Sequence, residues 1–193
     1  MSSKTRERIL TTTWRLLQRD PAVRVNMGDI AEACGISRQA LYLHFASRAD
    51  LMIATIRYVD EANGLNDRLE RAHESKTAIE FLEQSVEIWG NYMPEVYGLA
   101  KAMLRARDTD DAMAAAWNDS MRCLRDACQE MVGALDREGI LAAHWSPEDA
   151  VDMLYTLLSF ANWEQLTEEA GWTTSEYVKQ MKVMLRRVFV DTG

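Results

Sequence analysis

The chain is 193 residues long, 48 % apolar and 27 % charged, with a net charge of −8. That composition supplies a core for one large domain, or for a small domain joined to a larger one, and excludes an intrinsically disordered chain. Three cysteines, an odd number, suit a reducing cytosol rather than a disulfide framework, and no apolar run approaches the ~20 residues of a membrane span.

The opening MSSKTRERIL lacks the apolar segment of a signal peptide and sets the expectation of a cytoplasmic protein. Residues 4–19 follow helical spacing, with Ile9, Leu10, Thr13, Leu16 and Leu17 inward and Lys4, Arg6 and Arg8 as a basic end. The stretch Asn26–Leu51 then reads as two short helices joined by a sharp turn, with a third starting directly behind them. Asn26 is a good helix cap, and Met27, Ile30, Ala31 and Cys34 fall on one face. Gly35 stands where the chain must turn, and glycine takes a positive φ without a Cβ clash. Ser37 caps the next helix, whose Ala40 and Leu41, followed by Phe45, return to the shared core. Arg38, Gln39, Tyr42 and His44 are left facing outward, where Arg and Gln can bond base edges and Tyr and His can reach phosphate oxygens.

The pattern Ile30-Ala31, Ala33-Cys34-Gly35-Ile36-Ser37, Leu41-Tyr42, His44-Phe45, Ser47-Arg48 and Leu51 resembles the DNA-binding domain of TetR-type transcriptional repressors. The resemblance is dense over the first quarter of the chain; beyond it only the helical layout and length match. Two positions depart from it. Asp20-Pro21 stands where the family usually has a glycine-containing turn, and Arg48 where it usually has Lys. The resemblance implies an N-terminal helix-turn-helix DNA-binding domain, residues 1–50, and a helical ligand-binding and dimerisation domain, residues 51–193. Arg38 and Gln39 are the expected base readers, and Tyr42 and His44 the expected contacts to phosphate or a thymine methyl. Arg48, with the first-turn amides of its helix, and Asn26 at the preceding helix are expected to hold phosphate.

From Arg48 onward an apolar seam of Leu51, Ala54, Tyr58, Ala62, Leu65 and Leu69 predicts one long helix, with Gly64 as a bend or break. Thr77-x-x-Glu80 is a capping box for a helix to about Tyr92, which Pro94 should end. A helix from Glu95 to Arg107 follows. A long one, capped by Asp110 or Asp111, then carries Met113, Trp117, Met121, Leu124, Cys128, Met131 and Leu135 to a stop at Gly139. Ser146-Pro147-Glu148-Asp149 opens a helix that should reach Gly171, and Thr173-x-x-Glu176 the last one, ending near Phe189. The expected fold is all-α, with about nine helices.

The last two helices hold more apolar surface than one face needs. Leu154, Leu158 and Ala161, with Tyr177, Met181, Leu185 and Val188, are the expected interface of a homodimer, built as four helices, as the resemblance also implies. A two-fold dimer suits a palindromic double-stranded DNA operator with half-sites about one turn apart. The middle helices are rich in adaptable side chains, and the resemblance makes Trp89, Tyr92, Met93, Met103, Trp117 and Met121 the expected lining for a small, mostly apolar effector that lowers DNA affinity.

Charge distribution agrees with a DNA-reading end. Residues 1–50 carry eight basic and five acidic side chains; the remainder carries fourteen basic and twenty-five acidic. No enzymatic constellation, cofactor motif or metal spacing is legible. Glu70-x-x-His73 resembles half of a helical di-iron motif but has no second copy. A helical protein-interaction adaptor is the competing reading, and a helical enzyme a more distant one. An adaptor has no need of Arg38, Gln39, Tyr42 and His44 facing outward together.

Overall fold

The computed structural model describes residues 3–19 and 25–191. The Asp20-Pro21 departure and Arg24 lie outside the described residues. Among those described, the chain forms ten α-helices and no strand, apart from one isolated bridge between Leu141 and Val190. None of the described helices is long and apolar enough to cross a membrane.

The helices are α1 (Ser3–Arg19), α2 (Met27–Cys34), α3 (Arg38–Tyr42), α4 (Arg48–Ala62), α5 (Leu65–His73), α6 (Ala78–Ala106), α7 (Asp111–Arg137), α8 (Pro147–Leu157), α9 (Phe160–Glu164) and α10 (Thr174–Phe189). Two compact units emerge. The first joins Met1–Gly64 to Val96–Ser120, and the second joins Leu65–Glu95 to Met121–Gly193. In the first, α1 packs on α2 and α4, and α2 on α3. Ile9, Leu10, Leu17, Ile30, Leu41, Phe45, Leu51 and Met52 are buried there together with the polar Thr13 and Thr55. Both threonines return their hydroxyls to the preceding turn, Thr13 to the Ile9 carbonyl at 2.8 Å and Thr55 to that of Leu51 at 2.7 Å, so neither is left without a partner.

The second unit buries Leu82, Val86, Met131, Leu135, Leu154, Trp163, Tyr177 and Phe189. Gly90 of α6 permits a close approach of α10: a Cβ there would stand 2.5 Å from a Val178 methyl and 3.1 Å from the Tyr177 ring. Two ion pairs run along the same seam, from Lys182 to Glu87 and, at 3.6 Å, from Arg186 to Glu83.

One expectation is met here and three need correction. The helix from Arg48 does break, with Gly64 at a φ of 69° between α4 and α5. The buried stripe of α4 is Leu51, Met52, Thr55, Ile56 and Val59, whereas Ala54 and Tyr58 are only half-buried and Ala62 is exposed. Thr55 was invisible as a core position because its bond to Leu51 hides its polarity. Pro94 does not end a helix; α6 runs through it. Its ring is exposed while Tyr92, Met93, Leu99 and Ala100 on either side are buried, and that packing outweighs a proline cost of ~3 kcal/mol. The helix from Pro147 does not reach Gly171 unbroken. Ser159 accepts from the Asn162 amide and the Asn162 side chain donates to the Thr156 carbonyl at 2.6 Å, so local side-chain bonds replace the backbone ladder. A short α9 follows, and then a wider π-type turn over Gln165–Glu169.

Candidate nucleic-acid interface

Two adjacent helix starts build the candidate surface. At α2, the Asn26 side chain accepts from the amides of Gly28 (2.8 Å) and Asp29 (3.1 Å), and the Asp29 carboxylate accepts from the Asn26 amide at 3.0 Å. The capping box spends the Asn26 side chain on its own helix and leaves it exposed. At the other end Gly35 takes a φ of 65°, and the Gly35 and Ile36 amides bond back to Glu32 and Ala31, each at 3.0 Å. The chain re-enters helix at once, because Ser37 accepts from the Ala40 amide at 3.1 Å.

With Leu41 fully buried, α3 has no rotational freedom, and its other side is fixed outward. Arg38 and Gln39 are exposed on its first turn, Tyr42 is exposed on its last, and His44 is half-buried just beyond. The aliphatic part of Arg38 passes over the start of α2, 4.0 Å from where a Gly28 Cβ would stand. All four side chains therefore reach solvent, His44 only in part. Leu43, between Tyr42 and His44, is 69 % exposed; helical spacing gave no reason to single it out. From the basic N-terminus, the Arg6 guanidinium lies 4.9 Å from the Phe45 ring centroid, while Lys4 and Arg8 remain exposed.

Arg48 is placed differently. It opens α4 behind the Ser47 cap, which accepts from the Asp50 amide at 3.0 Å. Its side chain is only 14 % exposed and turns inward: Nε donates to the Val25 carbonyl at 2.7 Å, and Nη1 pairs with the carboxylate of Asp110. Burial alone would raise the Asp110 carboxyl, but the hydrogen bond and charge of Arg48, with the Met113 and Ala112 amides, hold it below the ordinary carboxylate range.

The expected effector lining divides between the units. Met103 and Trp117 are buried in the first, where Arg107 lies over the Trp117 ring at 5.8 Å. Tyr92 and Met93 are buried in the second, with Trp89 and Met121 half-buried. A groove of about 320 Å3 in the second unit is lined by His73, Phe81, Glu130, Arg137 and Glu138 among others, none of them expected from the sequence. Among the residues expected at a dimer interface, Leu154, Leu158, Tyr177, Met181 and Leu185 are buried within the chain's own core. Ala161 is exposed and Val188 half-buried. The apolar side chains that α8 and α10 present outward are instead Met153 and Val183, 39 % and 43 % exposed. Among the described residues, no group of three or more His, Cys, Asp or Glu side chains is placed to hold a metal.

Residues 9–55 match the family of bacterial regulatory proteins designated tetR. Over 79 residues, 41 % of this chain and 36 % of the relative, the sequence is 32 % identical to the HTH-type transcriptional regulator TtgR of Pseudomonas putida. Over 57 residues, 30 % of this chain and 29 % of the relative, it is 39 % identical to the nucleoid occlusion factor SlmA of Marinobacter nauticus. The matched stretches thus span about a third of those relatives' lengths. The fold extends much further. NalD of Pseudomonas aeruginosa, the secondary repressor of the MexAB-OprM multidrug efflux pump, superposes with a TM-score of 0.70 at 16 % identity, covering 100 % of both chains. FadR of Bacillus subtilis, solved in complex with stearoyl-CoA, superposes with a TM-score of 0.71 at 14 % identity, covering 94 % of this chain and 97 % of the other.

Proposed function

The N-terminal domain of this chain is of the tetR regulatory type and its helical fold is that of TetR-type regulators; from this premise we propose that the protein is a repressor that binds a palindromic operator as a homodimer and leaves it when a small, mostly apolar molecule binds. In this reading residues 1–50 read DNA, while residues 51–193 hold the effector and the dimer contact. The observation that carries it is the exposed set of Arg38, Gln39 and Tyr42, with His44 half-buried just beyond, on a helix fixed by the buried Leu41 and by the caps at Asn26 and Ser37.

Arg38 and Gln39 read base edges at the start of α3, and Tyr42 and His44 meet the backbone or a thymine methyl. The first-turn amides of α2 and α4 that the Asn26 and Ser47 caps do not occupy supply further phosphate donors. The effector acts by population shift: it favours a dimer whose recognition helices are wrongly spaced, by no more than its differential affinity for the two states. One structural neighbour was solved with stearoyl-CoA and another, from Saccharomonospora viridis, with choline, which supports a small-molecule effector here; its apolar character rests on the apolar side chains of the middle helices.

The test is a salt-titrated anisotropy measurement with DNA from immediately upstream of the protein's own gene against scrambled DNA. Specific binding that falls steeply with salt, at two protomers per palindrome, is expected. Arg38→Ala should remove about 1–3 kcal/mol of discrimination at the base it reads. No binding to either DNA even at low salt would favour the protein-interaction adaptor.

A further inference from the structure

Arg48 and Asp110 stand sixty-two residues apart in sequence, yet both belong to the first unit and share a buried bond. Each does two things at once. The Arg48 fork holds the Val25 carbonyl, the last backbone acceptor before the Asn26 cap of α2, and the Asp110 carboxylate. Asp110, 4 % exposed, also caps α7, accepting from the amides of Ala112 at 3.1 Å and Met113 at 3.4 Å. One pair of side chains therefore fastens together the starts of three helices: α2, α4 and α7. A second tie repeats the register. Arg57 of α4 donates through Nε and Nη2 to Asp119 of α7, at 3.1 and 3.0 Å, again across sixty-two residues. Equal offsets at two levels mean that α4 and the first part of α7 run in the same direction, side by side.

A cation meant for a phosphate is best left at the surface, where its approach costs little desolvation. Arg48 is enclosed, and its planar fork is matched to two acceptors at once, an arrangement whose value lies in fixed geometry. We propose that Asp110 is a positioning residue for DNA reading: through Arg48 it holds the entrance to α2 and the start of α4 in the arrangement that presents Arg38 and Gln39. Arg48 then acts from inside the domain rather than on the DNA backbone. The proposal rests on the DNA-binding reading above, and its test separates the two.

Three full-length variants suffice: Asp110→Asn, which keeps an oxygen for the α7 cap but drops the charge, Arg48→Met, and the two combined. On the gene's own upstream DNA each single variant should lose affinity about tenfold, with the salt slope of the unaltered protein, and the double variant should be no worse than either. Without DNA, hydrogen exchange at the amides of Gly28 to Ala31 should quicken in all three. Tighter binding by Asp110→Asn, or a slope flattened by about one in Arg48→Met, would put Arg48 on a phosphate and overturn the proposal. Unchanged exchange in the singles would overturn it as well. If Asp110→Asn does not fold, Arg48→Lys replaces it, since a lysine keeps the charge but lacks the Nε–Nη1 fork that holds the two acceptors apart; the same loss at constant slope is expected. A wild-type protein that binds no DNA refutes the DNA-binding reading, and the exchange measurement still decides whether the tie orders α2.

Discussion

His73 illustrates how a single residue acquires its state from partners far away in sequence. Its Nδ1 lies 2.8 Å from the Leu69 carbonyl and its Nε2 2.9 Å from a Glu130 carboxylate oxygen, and the ring tilts against Phe81 at a centroid distance of 4.9 Å. A neutral imidazole has one N–H and can satisfy only one of those acceptors; the imidazolium satisfies both. The Leu69 carbonyl first, and then Glu130, raise its pKa above 6.5. A pKa higher in the folded than in the unfolded chain gives stability that is complete below the unfolded value and disappears as pH rises through the folded one. His73→Gln should therefore cost stability at pH 5.5 and little at pH 9, read from urea melts of both proteins at the two pH values. A deficit that did not vary with pH would contradict the charged pairing. The sequence suggested Glu70 as a neighbour of this histidine, one turn away. The actual partner, Glu130, lies fifty-seven residues on, and no local spacing could point to it. The same holds for Arg48, whose surroundings are legible only once Asp110 has been folded against it.

Whole elements were more readable where their determinants lie within four residues. The caps at Asn26, Ser37, Ser146 and Thr173 all form as expected, because a cap is a bond between a side chain and an amide two or three positions away. Ser146 accepts from the Asp149 amide at 3.1 Å and donates its own proton to the Asp149 carboxylate at 2.6 Å. Ser146→Ala should cost about 1 kcal/mol. In a chain of this size that lowers the melting temperature by roughly 2–4 °C, and thermal denaturation followed by circular dichroism measures it. An unchanged midpoint would show that Pro147 alone fixes the start of α8. The misplaced ends have the opposite origin. Pro94 reads as a terminator by its own chemistry, but burial of the turns before and after it carries α6 through. The break at Leu158–Ser159 is local too, yet it depends on Asn162 reaching back to the Thr156 carbonyl, a bond that helical periodicity does not register.

For the molecule as a whole, the fold class and the exposure of Arg38, Gln39 and Tyr42 were legible because amphipathic spacing, caps and the turn glycine agree with one another over the first fifty residues. The association surface was not. The stripes of α8 and α10 that look surplus in sequence prove to be intramolecular core at Leu154, Leu158, Tyr177, Met181 and Leu185, since periodicity tells which residues are buried but not by whom. A proposed dimer face must then use what those helices leave outside, chiefly Met153 and Val183. Met153→Glu and Val183→Glu together should raise the dimer dissociation constant roughly tenfold or more in sedimentation velocity while sparing the monomer's helical content. A dimer of unchanged affinity would move the face elsewhere. The paired ties of α4 to α7 carry a consequence for the history of the chain. One residue inserted within a helix turns everything beyond it by about 100°. Lengthening α4 between Arg48 and Arg57, or α7 between Asp110 and Asp119, would rotate one tie away while the other held. Changes in length are therefore kept out of residues 48–57 and 110–119, whereas the connections at 63–64, 74–77 and 107–109 lie outside both ties. A lineage descended from this sequence can vary there and keep both clasps shut.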